Sequence, residues 1–479
     1  MKKKLGLNAV MNIVKSIIGM LFPLITFPYV SRVLSVSNIG KVNYANSIIS
    51  YFVLLAMLGI QVYATREGAR IRNDKKKIEM FVSEIFTLNV VTAITSIVVF
   101  ILLLNFTDVL KNYKTLLCIF AIEIPLVTIG SDWINSIYED YFYITVRTIG
   151  FQILSLILIF LFVRERNDYY QYAFCLVISA YGSGILNTFY TRRYCKKHIV
   201  FDKNIFKHLK PVLVLFATNL AALIYSNADT TMLGLMTTDY HVGIYTTAAK
   251  VYNIFKQLIF AIVIVCLPHF SYIVANETRE KYETLANLFF RGVVLLAVPI
   301  AFGLYFLSNP IIKVLAGNEY MEAAYPLRIL SFAILFAILA YFIMQLVLLP
   351  NQEDTIILRA TLISGGINII ANFFLIPCYF EKAAAFTTVI SEFLVFGVVY
   401  CASRKILKLH IGIKNIISMI LSCGLMGLDL YFVNSLEMAS VMTLIVGTIS
   451  GAVIYFIMLI ILKNEIIFEI LQNLKKMKR

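Results

Sequence analysis

Apolar stretches of about twenty residues recur from one end of the chain to the other, and this feature constrains the fold most. As a helix, each stretch is long enough to cross a hydrocarbon core about 30 Å thick. Only 14% of the 479 residues are charged, whereas soluble domains contain about 25%. The apolar runs are continuous rather than alternating, which favours helices over a β-barrel. The sequence therefore predicts an all-α integral membrane protein.

Charges and Pro or Gly clusters divide the sequence into about fourteen predicted membrane spans. The first is interpreted as a retained span rather than a signal peptide, because the apolar run continues to Val30 without a small-residue cleavage site. The predicted spans are residues 9–30, 42–64, 81–104, 115–131, 148–163, 171–190, 212–235, 243–273, 285–307, 326–349, 356–376, 383–402, 415–433 and 439–462.

The basic residues predict the orientation of the chain in the membrane. They cluster at 66–77, 192–210, 404–414 and 463–479, which are alternate connections between the predicted spans. The positive-inside rule then places both termini in the cytoplasm, and we expect a bacterial cytoplasmic membrane. The net charge of +15 comes from basic residues in short clusters between apolar spans rather than on a soluble face. Anionic membrane lipids are therefore the expected partners, and nucleic acid is not.

The longest hydrophilic connection divides the predicted spans into two lobes of six. We predict an N-terminal lobe at 1–195, a cytoplasmic loop at 196–210, a C-terminal lobe at 211–402, and two further spans with a basic tail at 403–479. The sequence contains no phosphate loop, no HExxH and no nucleophile elbow, so no enzyme activity is predicted. The seven cysteines are scattered, and neither a metal nor another cofactor is expected.

An internal repeat relates the two lobes. Residues 39–52 align without a gap to residues 242–255, and each segment opens a span six helices apart from the other. Repeats of this kind are typical of transporters, whose substrate sites lie at the repeat interface. The alignment superposes polar residues at i, i+4 and i+7, which places each set on one helical face. The aligned sets are Asn43, Ser47 and Ser50, and Thr246, Lys250 and Asn253.

Polar residues in apolar helices are energetically unfavourable in contact with lipid. Each aligned set forms a polar stripe along its helix, which should face a cavity or a neighbouring helix. Asn12 and Lys15 in the first span and Gln257 in the eighth extend the predicted lumen lining. The alternative is that the neutral residues only join helices by hydrogen bonds. Two carboxylates within predicted spans, Asp229 in the seventh and Glu392 in the twelfth, are candidates for ion coupling. Asp229 would pair with a lumen cation or take up a proton, and Glu392 would carry a proton or stay protonated beside a hydrogen-bond partner.

Three groups of motifs resemble those of the polysaccharide-unit flippases of the Wzx type, within the superfamily that includes the multidrug and toxin extruders. The likeness covers nearly the whole chain. The motifs are Phe-Pro-Tyr-Val-Ser-Arg-Val-Leu at 27–34 with Gly40, Asp132-Trp133 followed by Tyr-Ile-Thr-Val-Arg at 143–147, and Asp-Thr-Thr-Met-Leu-Gly at 229–234 followed by residues 242–250.

The resemblance implies two six-helix lobes around a cavity, two extra C-terminal helices, and alternating access driven by an ion gradient. It implies a polyprenyl-diphosphate-linked oligosaccharide as substrate, for surface polysaccharides such as O-antigen or capsule, and an assembly that includes a polysaccharide polymerase as partner. The lumen cations would bind the diphosphate. In the lipid II flippases of the same superfamily, arginines line the cavity, whereas the deep cations here are mainly lysines.

Other functions remain open at this stage. A drug extruder of the same fold would favour cationic drugs, which a lumen with lysines should repel. Assignment as a lipid II flippase is also less favoured, because lysines stand where that family has arginines. A membrane polysaccharide polymerase would need a large outer loop with acids or arginines, whereas the longest predicted outer loop is residues 308–325.

Overall fold

The computed structural model describes residues 2–469, apart from the side chains of residues 2–10, 12, 13, 16, 17, 20 and 203. Within that part of the chain the regular structure is helical, without a strand. The predicted all-α class is therefore confirmed. The chain forms two compact units, Met1–Gly243 and Ile244–Arg479. Their boundary follows the seventh predicted span, and the lobe limits drawn from the sequence stay a prediction.

Nineteen α-helices lie wholly within the described residues, with short 3₁₀ and π turns between them. In the first unit they are α1 (Lys2–Val33), α2 (Val36–Met57), α3 (Ile60–Ile71), α4 (Lys75–Phe106), α5 (Asp108–Lys111), α6 (Lys114–Ala121), α7 (Glu123–Gly130), α8 (Asp132–Ile137), α9 (Tyr141–Phe162), α10 (Tyr169–Val177), α11 (Gly184–Tyr190) and α12 (Leu209–Met236). They continue with α13 (Asp239–Asn276), α14 (Arg279–Phe306), α15 (Ser308–Leu315), α16 (Ala324–Ile343), α17 (Asp354–Ser403), α18 (Ile413–Ser435) and α19 (Ser440–Ile461).

Twelve helical segments of the described chain are long and apolar enough to cross a membrane. One of them, α17, spans 50 residues. A straight helix of that length would measure about 75 Å, more than twice the thickness of a hydrocarbon core. Its backbone breaks at Phe380, where φ is 50° and ψ is −129°, so α17 makes the two crossings predicted at 356–376 and 383–402. The first predicted span lies within α1. The chain is thus a multi-pass membrane protein, and the number fourteen is approximate.

The second predicted span is broken rather than continuous. Leu58 and Gly59 both have positive φ, of 45° and 77°, and separate α2 from α3. The break frees carbonyl groups that lipid could not satisfy. Helix α4 supplies the donors, since the Asn89 amide lies 2.9 Å and the Thr92 hydroxyl 2.7 Å from the carbonyl oxygen of Ala56. A side chain at Gly59 would meet α12, because its Cβ would lie 2.8 Å from the Cβ of Leu215.

The two aligned glycines of the internal repeat pack against each other. A Cβ added to Gly40 would lie 1.8 Å from the carbonyl oxygen of Asp239, and a Cβ added to Gly243 would lie 2.2 Å from that of Val36. The two contacts are reciprocal, because Val36 and Asp239 each lie four residues before the glycine of their own helix. The first turns of α2 and α13 therefore meet around a local two-fold relation, and only glycine allows backbones so close.

Buried polar groups fasten the helices of the second unit. The Tyr455 hydroxyl donates to the carbonyl oxygen of Leu295 at 2.9 Å and thereby joins α19 to α14. Within α17, the buried Asn372 amide donates to Asn368 at 3.0 Å, and the Thr387 hydroxyl donates to Asn372 at 2.6 Å across the break. These bonds satisfy polar groups in surroundings where an unpaired one would be costly.

Candidate functional site

The polar stripe of α2 faces α12. The Thr231 hydroxyl donates to the Ser47 hydroxyl at 3.2 Å, and the Asn227 amide donates to the Ser50 hydroxyl at 2.9 Å. Ser47 is buried and Ser50 half-buried. Both hydroxyls therefore take part in hydrogen bonds between helices, the alternative weighed for these residues, and their lumen role stays a prediction. Asn43, from the same stripe, is half-buried.

The stripe of α13 is more accessible than that of α2. Thr246 and Lys250 are half-buried, whereas Asn253 and Gln257 are exposed. Exposed amides on a membrane helix need water or a polar ligand, because hydrocarbon cannot satisfy them. This placement suits residues that line an aqueous cavity, and their lumen role stays a prediction.

A buried arginine marks a second polar cluster in the first unit. Nη2 of Arg147 lies 2.8 Å from both carboxylate oxygens of Asp132. The Asn187 amide donates to Oδ1 of the same carboxylate at 3.0 Å. The Arg147 side chain is 2% exposed and that of Asp132 is 43% exposed. Nε and Nη1 of Arg147 have no hydrogen-bond partner among the described residues. Unpaired buried donors of a guanidinium are costly, and they are suited to bind a carboxylate or phosphate.

Lys15 belongs to the same cluster. Its half-buried ammonium lies within electrostatic range of both Asp132 and Arg147. Helices α1 and α9 meet here, since the Thr145 hydroxyl donates to the carbonyl oxygen of Met11 at 3.1 Å. The side chain of Asn12 lies outside the described residues. With two cations against one carboxylate, these three side chains together have a net positive charge.

The sequence interpretation missed Arg147 as a site residue, although its motif entered the family resemblance. The fifth span was predicted to begin at residue 148, which left Arg147 in a loop. The helix in fact begins at Tyr141, so Arg147 lies inside α9 and is buried. The first turns of α9, from Tyr141 to Thr148, contain polar residues and therefore give a weak signal for a membrane helix. No break in hydropathy marks where the helix begins.

A cavity of about 210 Å³ adjoins this cluster at the break between α2 and α3. Its lining combines hydrogen-bonding side chains with Trp133, the single tryptophan of the chain. The other hydrogen-bonding residues are Gln61, Asn89, Asp132, Tyr181 and Ser183. Nε1 of Trp133 is buried without a partner among the described residues. Broken membrane helices commonly border substrate sites, because the irregular backbone must face protein or water.

The two predicted coupling carboxylates are both buried, at 7% exposure for Asp229 and 5% for Glu392. Glu392 has two partners within the second unit. The Tyr252 hydroxyl donates to its Oε1 at 2.8 Å, and Nζ of Lys256 lies 3.5 Å from the same atom. The ammonium of Lys256 also lies 4.7 Å from the centre of the Tyr252 ring. Lys256 thus pairs α13 with α17 through a carboxylate.

The family model for "Polysaccharide biosynthesis protein" matches residues 5–274, more than half of the chain. The chain belongs to this polysaccharide biosynthesis family. The match includes α1 to α12 and most of α13, and therefore both copies of the internal repeat. It confirms the resemblance drawn from the sequence motifs.

Two bacterial proteins and one solved structure resemble most of the chain. The Staphylococcus aureus protein named "Capsular polysaccharide biosynthesis protein CapF" is 26% identical, over 74% of this chain and 88% of its own. A "Putative O-antigen transporter" of Shigella dysenteriae is 22% identical, over 78% and 94%. The solved "Lipid II flippase MurJ, inward closed conformation" has a TM-score of 0.74 and covers 96% of this chain and 99% of its own. At 16% identity that likeness shows the fold alone.

Proposed function

We propose that this protein is a flippase that moves polyprenyl-diphosphate-linked oligosaccharide units from the cytoplasmic to the outer leaflet of the bacterial cytoplasmic membrane. Membership of the polysaccharide biosynthesis family supports the substrate class. The name "Putative O-antigen transporter" on a relative supports transport rather than catalysis. The observation that carries the proposal is the buried guanidinium of Arg147 beside Lys15 within a membrane fold, with Nε and Nη1 unpaired among the described side chains.

The chemistry of the substrate fits these residues. A diphosphate needs cations to enter the membrane, because an unpaired charge there is costly. Arg147 and Lys15 would bind it in the first unit, and Lys250 is the candidate cation of the second unit. The sugars need hydrogen-bonding groups, which Asn43, Asn253 and other polar residues of the stripes provide. The polyprenyl chain would remain in lipid.

Alternating access requires an energy source, and the sequence has no ATP-binding loop. We propose coupling to an ion gradient through Asp229 and Glu392. The contact of Glu392 with Lys256 and Tyr252 supports a switching role, because protonation of the carboxylate would remove the charge that holds the ammonium. With both termini in the cytoplasm, the units would leave on the outer face, where a polysaccharide polymerase would act on them.

The proposal is tested by the display of lipid-linked oligosaccharide on the outer face of spheroplasts, detected with a lectin. Strains would carry the wild type, a deletion, Arg147→Gln or Lys250→Gln, with Lys382→Gln as a control at an exposed lysine outside these clusters. We expect the deletion strain to show no lipid-linked oligosaccharide on the outer face. Arg147→Gln and Lys250→Gln should also lose it at normal protein levels, while the control Lys382→Gln keeps it.

Two outcomes would contradict the proposal. Undiminished display in the deletion would exclude this protein as the flippase. Single repeat units that accumulate outside, without polymer, would instead indicate a polymerase, because a lost flippase leaves those units in the cytoplasmic leaflet.

A further inference from the structure

A second, larger cavity lies within the second unit, at the end where α14 and α18 finish and α19 begins. Its volume is about 570 Å³, within the size range of small-molecule sites. The short helix α15 closes one side, and the Asn434 amide donates to the carbonyl oxygen of Phe306 at 3.0 Å. That bond ties α18 to α14 beside the cavity, so its walls are fixed rather than loosely apposed.

Two cations line this cavity, Arg328 from α16 and Lys313 from α15. The guanidinium of Arg328 is oriented by neutral acceptors, with Nε 2.8 Å from the Ser308 hydroxyl and Nη2 3.0 Å from the Asn309 side-chain oxygen. No carboxylate is among the residues that line the cavity, and neither cation forms an ion pair within the described chain. The positive charge is therefore available to an anion.

The cavity borders a surface suited to lipid. Tyr431, which lines it, is 71% exposed, and its neighbours Leu428 and Phe432 on α18 are 66% and 62% exposed. Large apolar side chains exposed on a membrane helix contact hydrocarbon, and tyrosines mark the level of the headgroups. Tyr305, a second lining residue, is 39% exposed. An anion at Arg328 and Lys313 would therefore lie at headgroup depth.

We propose that this cavity binds the phosphate of an anionic membrane lipid, whose hydrocarbon chains lie along α18. Arg328 provides directed N–H donors and Lys313 a second positive charge, which is the chemistry that recognises a phosphate. The site is at the opposite end of α18 from the basic segment 404–414, and the orientation proposed above places it in the outer leaflet. It requires no transport activity of the protein.

The test measures lipid binding to the purified full-length protein in detergent by native mass spectrometry. The lipids are phosphatidylglycerol, a polyprenyl phosphate and phosphatidylcholine, with inorganic phosphate as competitor. We expect both anionic lipids to bind and the zwitterionic lipid to bind weakly. Lys313→Gln should weaken binding about fivefold, because one basic residue near a membrane surface contributes about 1 kcal/mol.

The variants separate binding from folding. Arg328→Gln should weaken binding at least as much, and it also removes the bonds to Ser308 and Asn309. Lys313→Gln is the cleaner test, because Lys313 is exposed. Lys382→Gln, which removes an exposed cation outside the cavity, should bind like the wild type.

A preference for phosphatidylglycerol would identify bulk lipid as the source of the phosphate, and a preference for the polyprenyl phosphate would identify the carrier. Equal binding of phosphatidylcholine, or wild-type affinity in Lys313→Gln and Arg328→Gln, would overturn the proposal. Full competition by millimolar inorganic phosphate would also overturn it, because the phosphate alone would then account for binding and the site would not select a lipid.

Discussion

Replacement of Gly40 by alanine should destabilise the protein through a single steric contact. The new Cβ would lie 1.8 Å from the carbonyl oxygen of Asp239, whereas non-bonded carbons settle at about 3.5–4.0 Å. The first turns of α2 and α13 must then separate by at least about 1.5 Å. Overpacking of this kind costs about 1–3 kcal/mol. Gly243→Ala should have a similar effect, since its Cβ would lie 2.2 Å from the carbonyl oxygen of Val36.

Gly150→Ala is the matched control. Gly150 lies inside α9, and a Cβ added there meets nothing within 4 Å. Alanine in a helix interior gains up to about 1 kcal/mol over glycine, so Gly150→Ala should be neutral or stabilising. Because Gly40 has the same helical preference, the difference between the two variants isolates the steric cost.

Thermal unfolding of the purified proteins in detergent, followed by circular dichroism, measures this difference. We expect Gly40→Ala to unfold several degrees below Gly150→Ala. The double variant Gly40→Ala/Gly243→Ala should lose less than the sum of the single losses, because one separation of the two helices relieves both contacts. Equal stability of Gly40→Ala and Gly150→Ala would refute the close approach, and full additivity would refute the reciprocal contact.

Three further predictions concern charged residues. Arg147→Lys should restore less than half of the outer-face display lost in Arg147→Gln, because lysine lacks the planar fork of donors; equal rescue in the lectin assay would contradict this. Glu392→Gln should make substrate movement insensitive to collapse of the ion gradient while Tyr252 keeps its hydrogen bond, and an uncoupler titration of the variant tests it. Burial lowers the pKa of the Lys197 ammonium to about 8, so the unfolded state binds more protons between about pH 8 and 10. The unfolding temperature of the wild type should therefore rise relative to that of Lys197→Gln across this range, and a constant difference would contradict the effect.

Hydropathy alone predicted the helical membrane fold, because each crossing needs its own long apolar run. The breaks within the membrane helices could not be predicted from hydropathy. Gly59 occurs in a sequence that reads as one helix, and the break depends on donors from Asn89 and Thr92 that only the tertiary structure supplies. Phe380 has φ of 50° without a glycine, a conformation that local propensity does not favour.

The candidate site residues were also predictable only in part. Periodicity found the polar stripes, because hydrogen-bonding residues stand out in apolar helices. It did not distinguish the hydroxyl of Ser47, which bonds to Thr231, from the exposed amide of Asn253. The contact between Glu392 and Lys256 could not be predicted either, because the two residues are 136 positions apart in the sequence. Contacts between distant helices depend on packing that no single helix encodes.

Transbilayer movement in proteoliposomes tests the central claim most directly. The purified protein would be reconstituted with a polyprenyl-diphosphate-linked oligosaccharide, and lectin access would be measured after an ion gradient is imposed. The flippase account predicts movement by the wild type, loss of movement in Arg147→Gln, and full movement in Lys382→Gln. No movement above protein-free vesicles, with a correctly folded protein and any imposed gradient, would contradict it.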